Sequence, residues 1–128
     1  MLTFKQYLNE TPEWEKPCWI VAINKTTGTT DTKIKKMAKT LGWDGKTESL
    51  STNDTISILW DILGKKPDFT QTGVINKNKT TPKKYSGSTK LTGLVFTKAH
   101  VMPMINGTVS NFNGHGEETV TAVVTFDK

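Results

Sequence analysis

The chain of 128 residues contains no arginine: all 17 of its basic residues are lysine, set against 12 acidic ones for a formal net charge of +5. Lysine attracts phosphate as a point charge, whereas bidentate reading of guanine or of a carboxylate is mostly arginine's work. Sequence-specific DNA recognition therefore finds no support, and what remains is a weak, salt-sensitive, non-specific contact with nucleic acid. The lysine-only usage, together with many Asn, Thr and Ile, is also what an AT-rich genome would write. Cysteine is nearly absent. The single Cys18 rules out any internal disulfide, and no Cys/His spacing of the kind that holds zinc is present. A glycine-rich phosphate loop is missing as well, so neither a metal nor a cofactor is expected. No apolar run approaches the roughly 18 residues that span a bilayer, which excludes a membrane role. The N-terminus also lacks a charged stretch followed by a continuous apolar segment, so a cytoplasmic protein is expected.

What is present fits one domain with a core of its own. Residues 2 to 9 can form a short amphipathic helix, with Leu2, Phe4 and Leu8 near one face, stopped by Thr11-Pro12. Pro17 suits a first helical position, Trp19, Ile20, Ala22 and Ile23 supply a broad apolar face, and Gly28 can close the helix. A second helix is expected from about Asp31, with Ile34, Met37, Ala38 and Leu41 at helical spacing and Gly42 as its stop. Ser51 followed by Asp54 announces a third, with Ile56, Leu59, Trp60 and Leu63 as its stripe. From about Thr70 to Lys90 a long basic loop follows, with a short strand at Val74-Ile75.

Beyond that loop the pattern changes to strands: Leu91 to Thr97, His100 to Ile105, a turn at Asn106-Gly107, Thr108 to Phe112, and Glu118 to Phe126. In the last strand Val120, Ala122, Val124 and Phe126 alternate with polar positions, which predicts a sheet with one buried face. Helices first and antiparallel strands afterwards imply an α+β domain.

Chemistry converges on three residues. In Lys16-Pro17-Cys18-Trp19 the sulfur falls in the first turn of a helix, where the dipole and first-turn amides favour a thiolate. An imidazolium nearby would add the larger part of that effect. His100 opens one strand of the Asn-Gly hairpin and Asn111 lies at the end of the other, so the hairpin returns them to each other. Nucleophile, base and orienting group, distant in sequence and adjacent in the fold, are what a Cys/His/Asn triad requires. His115 is a second candidate base, since it precedes a strand and Asp127 follows. The structural readings are a packed thiol, a satisfied strand histidine at His100, a turn at His115 and a solvated strand start at Glu117-Glu118. Trp14, Trp19, Trp43 and Trp60 read as core or cleft-lining anchors.

Two stretches resemble papain-like cysteine peptidases, including the bacteriocin-processing type and small phage members. Cys18-Trp-Ile-Val-Ala22 through Gly28 is similar to the nucleophile helix, and His100-Val-Met-Pro-Met-Ile-Asn-Gly followed by Asn111 is similar to the returning strands, with the Asn about eleven residues after the His. The resemblance spans roughly residues 16 to 112 and implies a papain-like fold with Cys18, His100 and Asn111 as nucleophile, base and orienting residue. Two features depart from it. No Gln or Asn stands at positions 11 to 17 to complete an oxyanion hole, and Pro103 removes a ladder donor, which suggests an edge strand. The opening Met1-Leu-Thr-Phe-Lys-Gln-Tyr-Leu-Asn-Glu10 resembles the capsid-targeting leader of internal head proteins of T-even-type bacteriophages, cut after the Glu of a Leu-x-Glu signal. It implies a cleavable leader at 1 to 10, a mature domain at 11 to 128, and a location in the phage head or the host cytoplasm.

The expected function is thus a phage thiol hydrolase acting on a peptide or amide bond of a host protein. The alternative is a catalytically inactive internal protein that binds and inhibits a host defence enzyme. In either case Lys77, Lys79, Lys83 and Lys84 are the expected binding residues, suited to acidic partners.

Overall fold

The computed structural model describes residues 17–46, 50–70, 80–87, 89–98 and 100–126. Expectations for residues 2 to 9, the leader, Trp14, Val74-Ile75, Lys77, Lys79 and Asp127 fall outside them. Helix α1 (Cys18–Thr27) begins at Pro17 and ends at Gly28, whose φ of 75° lets its N–H reach the Asn24 carbonyl at 2.8 Å. Helix α2 (Asp31–Thr40) is capped by the Thr30 hydroxyl, which accepts from the Lys33 amide. Helix α3 (Thr52–Leu63) is capped by the Ser51 hydroxyl, which accepts from the Asp54 amide at 3.1 Å, a contact of the kind that contributes about 1 kcal/mol.

Five strands follow: β1 (Asp68–Thr70), β2 (Thr92–Thr97), β3 (Val101–Ile105), β4 (Thr108–Val109) and β5 (Val120–Phe126), with a one-turn helix α4 (Pro82–Tyr85) before β2. They form one antiparallel sheet in the order β1-β5-β2-β3-β4. The expected α+β architecture, N-terminal helices packed on a C-terminal antiparallel sheet, is the one observed.

Helix α1 is the centre of the packing. Trp19, Ile20, Val21, Ala22 and Ile23 are all buried, because α1 lies between β2 and β3 on one side and α2 and α3 on the other. Its buried Thr26 hydroxyl is satisfied by the Ala22 carbonyl at 2.8 Å, as a buried polar group must be. Leu94, Phe96, Val101, Ala122, Val124 and Phe126 complete this core from the sheet.

The opposite sheet face is covered too, contrary to the single buried face expected. Val95, Met102, Met104, Val109, Val120 and Val123 form a second cluster under Tyr85 and Phe112. Backbone bonds from Lys83 to the Gly116 carbonyl and from Val120 to the Thr80 carbonyl hold that cover down. Val120 belongs to this cluster rather than to the face of Ala122 because a bulge intervenes: Phe96 pairs with Ala122 but Thr97 pairs with Val120. The extra residue turns the strand over locally.

Three further details differ from the sequence expectation. The last stripe is Thr55, Ile58 and Leu59, with Trp60 48% exposed; two adjacent helical stripes carry apolar residues here, and the buried one faces α1 and α2. The strand predicted to reach Phe112 stops at Val109, because Asn111 and Asn113 adopt left-handed φ of 57° and 48°. Strand β3 is not an edge. Pro103 pairs with Leu94 of β2, and its carbonyl accepts from Ser110 on the other side at 3.1 Å, so its missing N–H lies toward β4 and ends that short ladder instead.

Gly93 sits where β2 crosses β5, and a Cβ there would stand 1.9 Å from the Val124 carbonyl oxygen. Backbone cannot retreat as a side-chain tip can, so Gly93→Ala should cost at least about 3 kcal/mol, the upper end of ordinary overpacking. Urea unfolding checks this; a variant as stable as the parent would show that β2 and β5 do not approach so closely.

Candidate active site

The groove that matters lies where the start of α1 meets the reversal between β2 and β3. Cys18 and Trp19 form one wall, Leu50 and Thr52 at the entrance of α3 a second, and Phe96, Thr97, Lys98, His100 and Val101 the third. It encloses about 150 Å³. Cys18 is half-buried as the first residue of α1. Trp19, beside it, is buried edge-on against Trp43 with ring centroids 5.1 Å apart. The two distant stretches singled out in the sequence, around Cys18 and around His100, therefore line one cleft.

His100 is held by the hairpin. Asn106 and Gly107, with φ of 50° and 84°, reverse the chain between β3 and β4, the left-handed pair that a tight two-residue hairpin requires. His100 Nε2 then lies 2.9 Å from the backbone carbonyl oxygen of Asn111. A carbonyl only accepts, so Nε2 carries the proton in this bond and Nδ1 is the nitrogen able to take one. Asn111 orients the imidazole, but through its main chain. Its side-chain oxygen instead accepts from Lys25 Nζ at 2.8 Å, which ties the hairpin end to the last turn of α1. The left-handed backbone at Asn111, with φ of 57°, accompanies this use of its carbonyl on the ring.

His115 is part of the same cluster. Its ring stacks on that of His100 with centroids 4.5 Å apart and planes 17° from parallel. Its Nδ1 lies 2.8 Å from Glu118 Oε2, and Glu118 Oε1 accepts from the Thr97 hydroxyl at 2.7 Å. Thr97 in turn donates its amide to the His100 carbonyl at 2.8 Å. Glu118 is thus no simple solvated strand start; the three-residue spacing from His115 was the available signal. The side chains of Thr97 and His115 hold its carboxyl below the usual carboxylate range. For His100, burial pushes the imidazole pKa down, the Asn111 carbonyl opposes this, His115 adds to the lowering and Glu118 counters it; the net direction is below the ordinary value.

Of the expected binding lysines, Lys83 and Lys84 are exposed on α4. Lys83 is partly committed, since its ammonium lies 3.3 Å from Glu117 and its stem packs beside Gly116. Among the described residues no group of His, Cys, Asp and Glu could hold a metal ion, and no helix is long and apolar enough to cross a membrane. No protein-family model, curated protein or solved structure matches the chain.

Because folding lowers the His100 pKa, the unfolded chain takes up that proton more readily, and stability falls as pH drops through the unfolded value of 6.5 toward the lower folded one. Glu118 acts in the same sense at lower pH: its contribution is present above 4.5 and is lost as pH falls through its lowered folded value. Urea titrations should show less stability at about pH 5.5 than at about pH 7.5, and His100→Gln should flatten that difference.

Proposed function

We propose that the protein is a papain-like thiol hydrolase that cleaves a peptide or amide bond. The carrying observation is that Cys18, at the N-terminus of α1, and His100, whose Nε2 is engaged by Asn111, line one groove. In the proposed reaction the Cys18 proton passes to His100 Nδ1, and the resulting thiolate attacks the substrate carbonyl carbon. His100 returns the proton to the amine as the C–N bond breaks, and a water activated by the same nitrogen then hydrolyses the thioester. His115, stacked on His100 and tied to Glu118, is a positioning residue.

The helix N-terminus at Cys18 would supply oxyanion stabilisation from main-chain amides. The groove also carries Thr52, whose hydroxyl is a candidate for the side-chain donor that positions 11 to 17 do not provide; losing one such donor costs about 10²- to 10³-fold in rate. A host protein as substrate, and packaging in a phage head, rest on the resemblance of residues 1 to 10 to a capsid-targeting leader. A packaged protein would be found in purified heads as a chain beginning at Thr11.

Cys18→Ala should abolish turnover of a casein-type substrate, and His100→Ala should lower it by about 10²- to 10⁴-fold, while both variants keep the parent's circular dichroism. The rate of Cys18 alkylation against pH is the independent check. A midpoint at the unperturbed thiol value of about 8.5, unmoved by His100→Ala, would falsify the hydrolase reading.

A further inference from the structure

Among the described residues that line the groove, Lys98 is the one that carries a formal charge at neutral pH besides the titratable thiol and imidazole; the others are apolar or hydroxylic. Its position is set by the fold. The Thr97 amide bonds to the His100 carbonyl at 2.8 Å, so Lys98 lies inside the reversal that joins β2 to β3, two positions from the imidazole. The carboxylate of Glu118, bonded to the neighbouring Thr97, also pairs with His115. Trp19 and Phe96 on the groove walls are buried and apolar, so Lys98 is the group among the described lining residues that can meet an anion by charge. The volume is small. At about 150 Å³ it falls short of the roughly 300 Å³ usual for a drug-sized ligand, and suits a single side chain beside a scissile bond.

We propose that this groove selects an acidic substrate, a peptide whose carboxylate side chain flanks the bond under attack and is met by the Lys98 ammonium while its carbonyl faces Cys18. The proposal rests on the hydrolase reading for the word substrate, but the charge selection itself is a property of the groove and is measurable without turnover. Lys98 is exposed, so its replacement leaves the core intact.

Iodoacetate and iodoacetamide provide the test, since they differ in carrying a carboxylate or a neutral amide and the chain has one thiol to modify. Taking the ratio of the two rates on the full chain at one pH cancels any change in the thiolate fraction. Lys98→Gln should lower the iodoacetate-to-iodoacetamide ratio about three- to fivefold, the size of one partly exposed charge contact, and Lys98→Glu should lower it further. A ratio that Lys98→Gln leaves unchanged overturns the proposal, as does a Cys18 that neither reagent reaches until the protein is unfolded. Failure of the hydrolase reading looks different: His100→Ala would leave the alkylation pH profile unmoved while the Lys98-dependent ratio persisted.

Discussion

The site depends on how completely α1 is buried. A helix whose residues 19 to 23 are all inaccessible cannot slide or rotate without opening voids in a close-packed interior, and each lost contact there has a cost comparable to a sizeable share of total stability. That burial is what presses the first turn of α1 against the β2–β3 reversal, and so puts a half-buried thiol and an imidazole on one groove. Lys25, bonded from the last turn of α1 to Asn111, is a second point of attachment between the same helix and the hairpin.

Around this contact the polar groups are arranged economically. His100 uses one nitrogen on a main-chain carbonyl, His115 uses one on Glu118, and Glu118 uses its other oxygen on Thr97. Among the described residues no buried side-chain nitrogen or oxygen lacks a partner. The two imidazoles stack with centroids 4.5 Å apart, and the carboxylate stands with His115.

Much of the framework was legible from local rules. The Ser51 cap, the Gly28 stop and the Asn106-Gly107 reversal each follow from short-range stereochemistry and were found where residue type demanded them. The return of Asn111 to His100 followed from hairpin arithmetic alone. What local rules missed were choices between near-equal alternatives. The third helix carries apolar residues on two neighbouring stripes, and packing against α1 and α2 buried Ile58 and Leu59 rather than Trp60. Strand β5 alternates cleanly on paper, yet the bulge opposite Thr97 moved Val120 to the other face.

Sequence by itself determined the α+β class, the positions of the helix ends and hairpin, and the three candidate residues, because capping, left-handed turns and hydrophobic period act over a few residues. Only the tertiary structure decided that Cys18 and His100 share a groove with Lys98, that Asn111 works through its carbonyl, and that His115 and Glu118 join the cluster. Those facts arise from contacts between chain segments far apart in sequence, where the outcome depends on how whole elements pack and no local pattern records it.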